Sequence, residues 1–355
     1  MVVDAHVHVG QACRLMQSAS PFSFEDGPWE AFFSPPLLRR FPQPVMHYLL
    51  GTDPHDDITA IDAAIERFLL NHMLGASSVD RVVVLAFDAY HTAAGSALGP
   101  ARVTGAPGTH LYVSNTYVHD LCRRHPARLW FGASIHPYRP RAIEALDEVA
   151  QSGAVLVKWL PLAQHIDAAD PRSVAFLEHA ARIAMPMLIH YGGEVALPTA
   201  NANLANPGPL LETLRRLRSR GVFPTTIIAH AATPSFRPFG RDRYFEALVA
   251  AMLGEFHDEP LYADLAGLAT LNRARWLRML LGRPELHRKL IHGSDFPVPT
   301  FPLLFRRALG TAFGMVARCP SWIERDYQLK RHLGFPSHVF TRFGEILARL
   351  GRPTS

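Results

Sequence analysis

The chain has 355 residues, 48% hydrophobic and 19% charged, a balance that supplies a large core and excludes a disordered or fibrous protein. Its formal charge of +5 raises the question of an anionic macromolecular partner. The densest basic run, Leu214-Arg215-Arg216-Leu217-Arg218-Ser219-Arg220, has no interleaved aromatics and reads as a solvated helix end complementing the helix dipole, so nucleic acid is not expected as a partner.

Cys13, Cys122 and Cys319 are odd in number, far apart and outside any C-x-x-C pattern, which predicts free thiols and neither a disulfide framework nor a zinc knuckle. The chain reaches an acidic residue by Asp4 with no charged and apolar leader before it, and no apolar run is long enough to span a bilayer. A cytoplasmic protein without a membrane partner is the expectation.

In chain order, Val2-Val3-Asp4-Ala5-His6-Val7-His8-Val9 alternates and predicts a strand, on which His6 and His8 share a side and form a chelating pair. Residues 10–57 are long, irregular and rich in Phe, Trp and Pro, including Phe41, and read as an insertion over one end of the fold. Ile58, Ile61, Ile65, Phe68 and Leu69 then recur at helical spacing, and Arg81 to Phe87 is a second apolar strand.

After a Gly/Ala/Pro-rich loop from Ala93 to Gly108, helices are predicted through Tyr117 and Leu121, and over 141–151, 174–183, 210–220, 244–255 and 274–281. Strands are predicted over 129–135, 154–159, 186–191, 225–230, 261–265 and 290–295. Short, apolar strands alternating with helices imply a parallel sheet under helices, and eight such units predict an α/β fold of the (β/α)8 TIM-barrel type as a single domain over 1–355. A doubly wound open sheet fits less well, because no strand leads into the glycine-rich turn of a dinucleotide site. Residues 318–355 are expected to be a helical extension packed on the barrel.

Polar residues stand at the ends of these strands, where barrels place their active sites. His6 and His8 end the first strand, Lys158 the fourth, His190 the fifth, His230 the sixth and Asp295 the eighth. Strand parity groups Lys158 with Ala154 and Leu156, His190 with Leu188, His230 with Ile228, and Asp295 with Ile291 and Gly293, so each has small or apolar companions on its face. His292 has the opposite parity and should point outward.

His6-Val-His8, His190 in Leu-Ile-His-Tyr-Gly-Gly, His230 in Ile-Ile-Ala-His and Asp295 in His-Gly-Ser-Asp-Phe-Pro resemble the amidohydrolase superfamily. The likeness is greatest to its amidohydrolase-related branch, to which aminocarboxymuconate semialdehyde decarboxylase belongs, and it spans Val2 to Pro299. It implies a divalent metal, usually zinc, on the residues matching His6, His8, His190 and Asp295, with His230 contacting the metal's water or a second metal.

The chemistry is coherent with that set. Zinc with an open position acidifies a water, Asp295 can accept its proton, and His230 can orient the water or stabilise an oxyanion. Lys158 is the departure. It is neutral, or carboxylated as a bridge between two metals, or a cation for a substrate carboxylate. One metal per chain is the expectation, since the branch resembled usually works with one and the basic balance suits an acidic substrate.

The function expected is hydrolysis of a small, acidic amide- or lactone-type molecule. The alternative on the same site is metal-dependent decarboxylation of an aromatic or unsaturated acid, and a non-catalytic binding barrel is disfavoured by the intact ligand set. The insertion is expected to wall the barrel mouth with Trp29, Phe32 and Phe33 and to anchor a substrate carboxylate through Arg39 or Arg40. A homodimer contact is the other use for those aromatics.

Overall fold

The computed structural model describes residues 1–25, 27–40, 42–194, 197–199, 201–235 and 240–352. Phe41 and residues 353–355 of the expected extension lie outside them. The strands are β1 (Val3–His8), β2 (Cys13–Leu15), β3 (Trp29–Phe33), β4 (Arg81–Leu85), β5 (Leu111–Val113), β6 (Leu129–Ala133), β7 (Leu156–Trp159), β8 (Met187–His190), β9 (Thr226–Ala229), β10 (Leu261–Asp264) and β11 (Leu290–Ile291). Eight of them form one parallel sheet in the order β1-β4-β6-β7-β8-β9-β10-β11. The ring closes between its ends: Val7 bridges Phe296 in parallel, and the amides of Ala5, His8 and Asp295 donate to the carbonyls of His292, Phe296 and His6 at 3.1, 2.7 and 2.9 Å. This is the expected (β/α)8 barrel.

The helices are α1 (Pro35–Leu38), α2 (Gln43–Leu50), α3 (Ile58–Leu74), α4 (Asn115–Arg124), α5 (Ala142–Gln151), α6 (Pro161–Gln164), α7 (Pro171–Arg182), α8 (Gly208–Ser219), α9 (Arg243–Leu253), α10 (Ala274–Leu281), α11 (Arg306–Leu309), α12 (Phe313–Ala317), α13 (Trp322–Leu333) and α14 (Ser337–Arg349). Several begin where a side chain satisfies an otherwise orphaned amide: Asp57 accepts from Ala60 N at 2.8 Å, Ser114 from Tyr117 N at 3.0 Å, and Asp242 from Tyr244 N at 2.9 Å. None among the described residues is long and apolar enough to cross a membrane.

The strands are buried on both faces, which explains their near-continuous apolar character. Val83, Leu85, Leu156, Leu188, Ile227, Ala229 and Ile291 fill the barrel together with Phe343, Ile346 and Leu347 of α14, which plugs the end opposite the site. Val82, Val84, Val157, Trp159, Ile189 and Ile228 face the helices instead. This corrects the parity expected for His230, because Ile228 points outward and Ile227 and Ala229 point in. His230 reaches the interior because it, Ala231 and Ala232 all have positive φ (54°, 50° and 54°), which turns the chain back over the barrel end.

β1 has its own irregularity. Its register against β4 shifts between Asp4 and Val7, Val3 and Ala5 belong to the barrel filling, and Val7 and Val9 pack on the helix side. The bulge therefore transfers the inward face to His6 and His8. His292 points outward as expected, against Tyr327 and Phe340.

Residues 10–57 have elements of their own. β2 and β3 join β5 in a three-stranded antiparallel sheet that hangs from the end of β4 through the Phe87–Val113 bridge. β5 was not expected from the sequence, where its three residues read as the approach to a helix. Glu25 fastens the insertion to the start of α4, accepting from Asn115 N at 2.6 Å and Thr116 N at 3.0 Å. Phe22 packs on Phe131 of β6, ring centroids 5.9 Å apart, and Ser23 N donates to Glu148 of α5 at 2.8 Å. This first half of the insertion thus lies along the outer wall, away from the barrel axis.

Candidate metal centre

The ends of β1 and β9 and the turn after β11 deliver polar groups to the same spot. His6 Nε2 lies 3.1 Å from His8 Nε2 and 3.5 Å from Asp295 Oδ1, and His8 Nε2 lies 3.4 Å from that same oxygen. Ligands 2.0–2.1 Å from a tetrahedral ion stand about 3.3–3.4 Å apart, so these three atoms are spaced as the edges of such a shell. His230 Nε2 is 3.9 Å from Asp295 Oδ2, and His6, His230 and Asp295 form a buried group whose donor atoms all lie within 4.8 Å of one another. That arrangement can hold a metal ion.

Hydrogen bonds fix which nitrogens are available. His6 Nδ1 donates to Asp264 Oδ2 at 2.7 Å, which leaves Nε2 with its lone pair facing the cluster. His230 Nδ1 donates to Ala266 O at 2.7 Å, so its Nε2 is likewise an acceptor. Burial, reinforced at His6 by the Lys158 ammonium, pushes the His6 pKa down to about 4, and burial pushes His230 to about 3. Both rings are therefore neutral, as metal ligation requires. Burial alone would raise Asp295, but His230, His8 and His6 outweigh it and hold the carboxyl well below its usual range.

Asp264 was missed in the sequence, although it ends the apolar strand Leu261-Tyr262-Ala263-Asp264 as the other site residues end theirs. Its Oδ1 accepts from the amides of His230 at 2.7 Å and Ala266 at 3.1 Å. One carboxylate thus orients His6 and the turn that carries His230. Its own pKa is held down to about 2, because His6 overcomes the cost of burial.

Lys158 is 1% exposed, and its Nζ lies 3.1 Å from His6 Nε2. Desolvation lowers its pKa to about 8, opposed by Asp264, Asp295 and Glu194. His190 is also buried, with its ring 4.7 Å from that of His230, but its Nε2 faces Glu194 Oε2 at 3.6 Å and has no hydrogen-bond partner among the described residues. The expected ligand set therefore gathers as His6, His8 and Asp295 with His230 close by, and His190 lies beside His230. Arg39 and Arg40 sit at the exposed end of α1. Trp29 packs edge-on to Phe32, which stacks on Tyr112, while Phe33 lies against Gly10. Glu194 and Arg273, next to His190, were also missed, and for Arg273 no periodicity or motif marks it.

No protein-family model matches the chain, and no curated protein matches its sequence. Solved structures do match along its whole length. An uncharacterized TIM-barrel protein from Bordetella bronchiseptica is 13% identical, with 99% of each chain covered and a TM-score of 0.58. A protein from Pseudomonas putida described as a 2-pyrone-4,6-dicarboxylic acid hydrolase is 15% identical over 100% of this chain and 98% of its own, with a TM-score of 0.52. The 5-carboxyvanillate decarboxylase from Sphingomonas paucimobilis is 13% identical over 99% of both chains, with a TM-score of 0.51. At such identities the likeness is one of fold, and the fold is the one that the resemblance to the amidohydrolase superfamily implies.

Proposed function

We propose that this chain is a zinc-dependent hydrolase of a small acidic molecule with an amide- or lactone-type bond, holding one ion per chain. The observation that carries the reading is the convergence of His6 Nε2, His8 Nε2 and Asp295 Oδ1, 3.1–3.5 Å apart, on a floor where Asp264 has fixed the His6 lone pair inward. His6, His8 and Asp295 would hold the ion, with His190 completing the set. Bound there, zinc polarises an acyl oxygen and brings the pKa of a water to about 7.

The remaining work falls to the chain's own groups. Asp295, kept ionised, accepts a proton at Oδ2 from the attacking water and returns it to the leaving atom. His230 presents a lone pair at Nε2, so it orients that water by accepting a hydrogen bond; with Nδ1–H committed to Ala266, it is not an oxyanion donor. Lys158 supplies a cation for a substrate carboxylate, because one buried ammonium is tolerable beside a single ion and strongly disfavoured between two. The free, separated cysteines suit a reducing compartment such as the cytoplasm.

Decarboxylation of an aromatic acid is the second reading. The specific observation in its favour is the Lys158 ammonium 3.1 Å from His6 Nε2, which can hold the departing carboxylate in place. The decarboxylase from Sphingomonas paucimobilis has the same fold.

The test is to load the purified chain with zinc and follow acid release from carboxylated lactones and amides, with carbon dioxide release from hydroxybenzoic acids as the competing assay. Asp295→Asn is expected to lower turnover at least about 100-fold with the fold intact. Zinc uptake is expected near one ion per chain with or without bicarbonate. No uptake, or wild-type turnover in the Asn variant, refutes the reading. Two ions, rising with bicarbonate, would instead establish a carboxylated Lys158 bridge.

A further inference from the structure

The turn that carries Asp295 is gripped from outside the barrel by the C-terminal extension. β11 ends at Ile291, so the chain from His292 to Phe296 lies beyond the regular ladder. Its amides are held at the seam: His292 N donates to Val339 O at 3.0 Å, Ser294 N to Asp4 Oδ1 at 2.9 Å and Asp295 N to His6 O at 2.9 Å. The carbonyl of Gly293 takes its hydrogen bond from a side chain instead, Lys330 Nζ of α13, at 2.8 Å. On its other side Gly293 has no room, since a Cβ there would lie 2.8 Å from His6 Cβ and 3.1 Å from Ala266 Cβ. The chain just before Asp295 is thus pressed against His6 from one face and held by an ammonium from the other.

Lys330 is fully buried, and its Nζ is also bonded to Asp326 Oδ2, one helical turn earlier. Asp326 is buried too, and its Oδ1 accepts from Thr300 Oγ1 at 3.0 Å, so the pair ties α13 to the chain on both sides of Asp295. A buried ion pair adds little net stability compared with apolar side chains of similar size, because desolvating two charges offsets their attraction. Packing α13 on the barrel needs only apolar contacts such as those of Ile323 and Leu329. What an apolar pair does not supply is a donor for Gly293 O, and a buried carbonyl without one costs free energy until the turn moves to find another partner. Asp295 tolerates little movement. It has φ 67°, its Oδ1 stands 3.4–3.5 Å from the Nε2 atoms of two histidines, and metal–ligand distances are held to within about 0.2 Å.

We propose that Lys330 is the positioning residue for Asp295: anchored by Asp326, it clamps the Gly293 carbonyl and sets where the turn presents the Asp295 carboxylate, which makes the C-terminal extension a part of the metal centre. The proposal deepens the hydrolase reading and rests on it for the ion. The clamp on the turn exists with or without metal.

A pair that merely packs α13 on the barrel behaves differently, and two variants of the full chain separate the cases. Lys330→Met with Asp326→Leu removes the donor and both charges together, so that neither charge is left uncompensated. Lys289→Met is the control. Lys289 is also a buried lysine donating to carbonyls, those of Phe256 at 3.0 Å and Glu259 at 2.6 Å, but it stands before β11, at the end of the strand away from the site. The measurements are amide hydrogen exchange over residues 292–298 of the metal-free protein and zinc affinity by chelator competition. The double variant is expected to exchange about tenfold faster in that segment and to bind zinc about tenfold more weakly. Lys289→Met is expected to lower the urea midpoint and leave both readings within about twofold of wild type, which separates loosening of the turn from a general loss of stability.

If the double variant does not fold, Asp326→Asn decides. It weakens the anchor of Nζ while keeping the shape, and is expected to speed exchange over 292–298 and to weaken zinc binding about threefold. Unchanged exchange or unchanged zinc affinity in a folded variant of the pair, or changes of equal size in Lys289→Met, overturns the proposal. Wild-type protein that takes up no zinc removes the hydrolase reading and leaves the exchange comparison to judge the clamp, whereas zinc uptake with unchanged exchange in the variants removes the clamp alone.

Discussion

Asp264→Asn tests whether the metal centre is organised from beneath. Asp264 accepts three hydrogen bonds, from His6 Nδ1 at 2.7 Å, His230 N at 2.7 Å and Ala266 N at 3.1 Å, and is fully buried. An asparagine has one oxygen for these three donors. If that oxygen faces His6, the amide N–H₂ meets the two backbone amides, and if it faces the backbone, the N–H₂ meets His6 Nδ1–H. In the second case His6 must move its proton to Nε2, which removes the lone pair that would ligate.

Leaving one or two buried donors unsatisfied costs about 1–3 kcal/mol each, so a loss of about 2–4 kcal/mol in folding stability is expected. Loss of a ligand's supporting carboxylate weakens metal affinity by 10–100-fold, about 1.4–2.8 kcal/mol. Chelator competition for zinc and urea unfolding of the metal-free protein measure the two separately. A variant that keeps zinc within about threefold of wild type would refute the assignment of the His6 tautomer to Asp264.

Gly267 has φ +64°, and a Cβ there would lie 2.5 Å from Asp295 Oδ2; Gly267→Ala should therefore cost about 1–2 kcal/mol in backbone strain and weaken zinc binding by about tenfold, read by the same competition titration. Unchanged zinc affinity would mean that Asp295 is not held where the metal needs it. At Asp88, burial alone would raise the pKa, but Arg139, His91 and His136 outweigh it and hold the carboxyl well below its ordinary value. A depressed carboxyl contributes stability above its unfolded pKa of about 3.9 and loses it as pH falls toward the folded value. Asp88→Asn, which breaks the 2.8 Å pair with Arg139, is expected to lose about 3–5 kcal/mol at pH 7 and less at pH 3, from urea midpoints at both; a gap of equal size at the two pH values contradicts it.

The barrel was legible because its strands are short, apolar on both faces and separated by amphipathic helices, a pattern that survives in Leu156–Trp159, Met187–His190 and Thr226–Ala229 without any help from homologues. Two things were not. β5 has only three residues and forms because β3 and Phe87 offer it partners, which is tertiary information that no local window contains. Glu25 is an acidic residue in an irregular stretch, and only the fold brings it to the exposed amides at the start of α4.

Within the site, parity worked for Lys158 and His190, which continue the inward faces of Leu156 and Leu188, and failed for His230. The failure has a geometric cause. In an eight-stranded barrel the inward residues of one layer come from alternate strands, so neighbouring strands in regular conformation do not aim at the same level. His6 and His8 on β1 must nevertheless meet Asp295, which follows the adjacent β11, and His230, which follows β9. The chain achieves this by leaving regular conformation at each of the three places: a register shift in β1, φ 54° at His230 and φ 67° at Asp295. Such conformations at non-glycine residues cost of order 1–3 kcal/mol each and persist only where surrounding contacts enforce them. The contacts are present, since Asp264 accepts from the His230 amide, and Asp295 N donates to His6 O at 2.9 Å across the closing seam of the barrel. His230, which a period-two reading misplaces, is therefore one of the residues whose convergence makes a metal site possible, and the backbone strain marks the centre as directly as the histidines do.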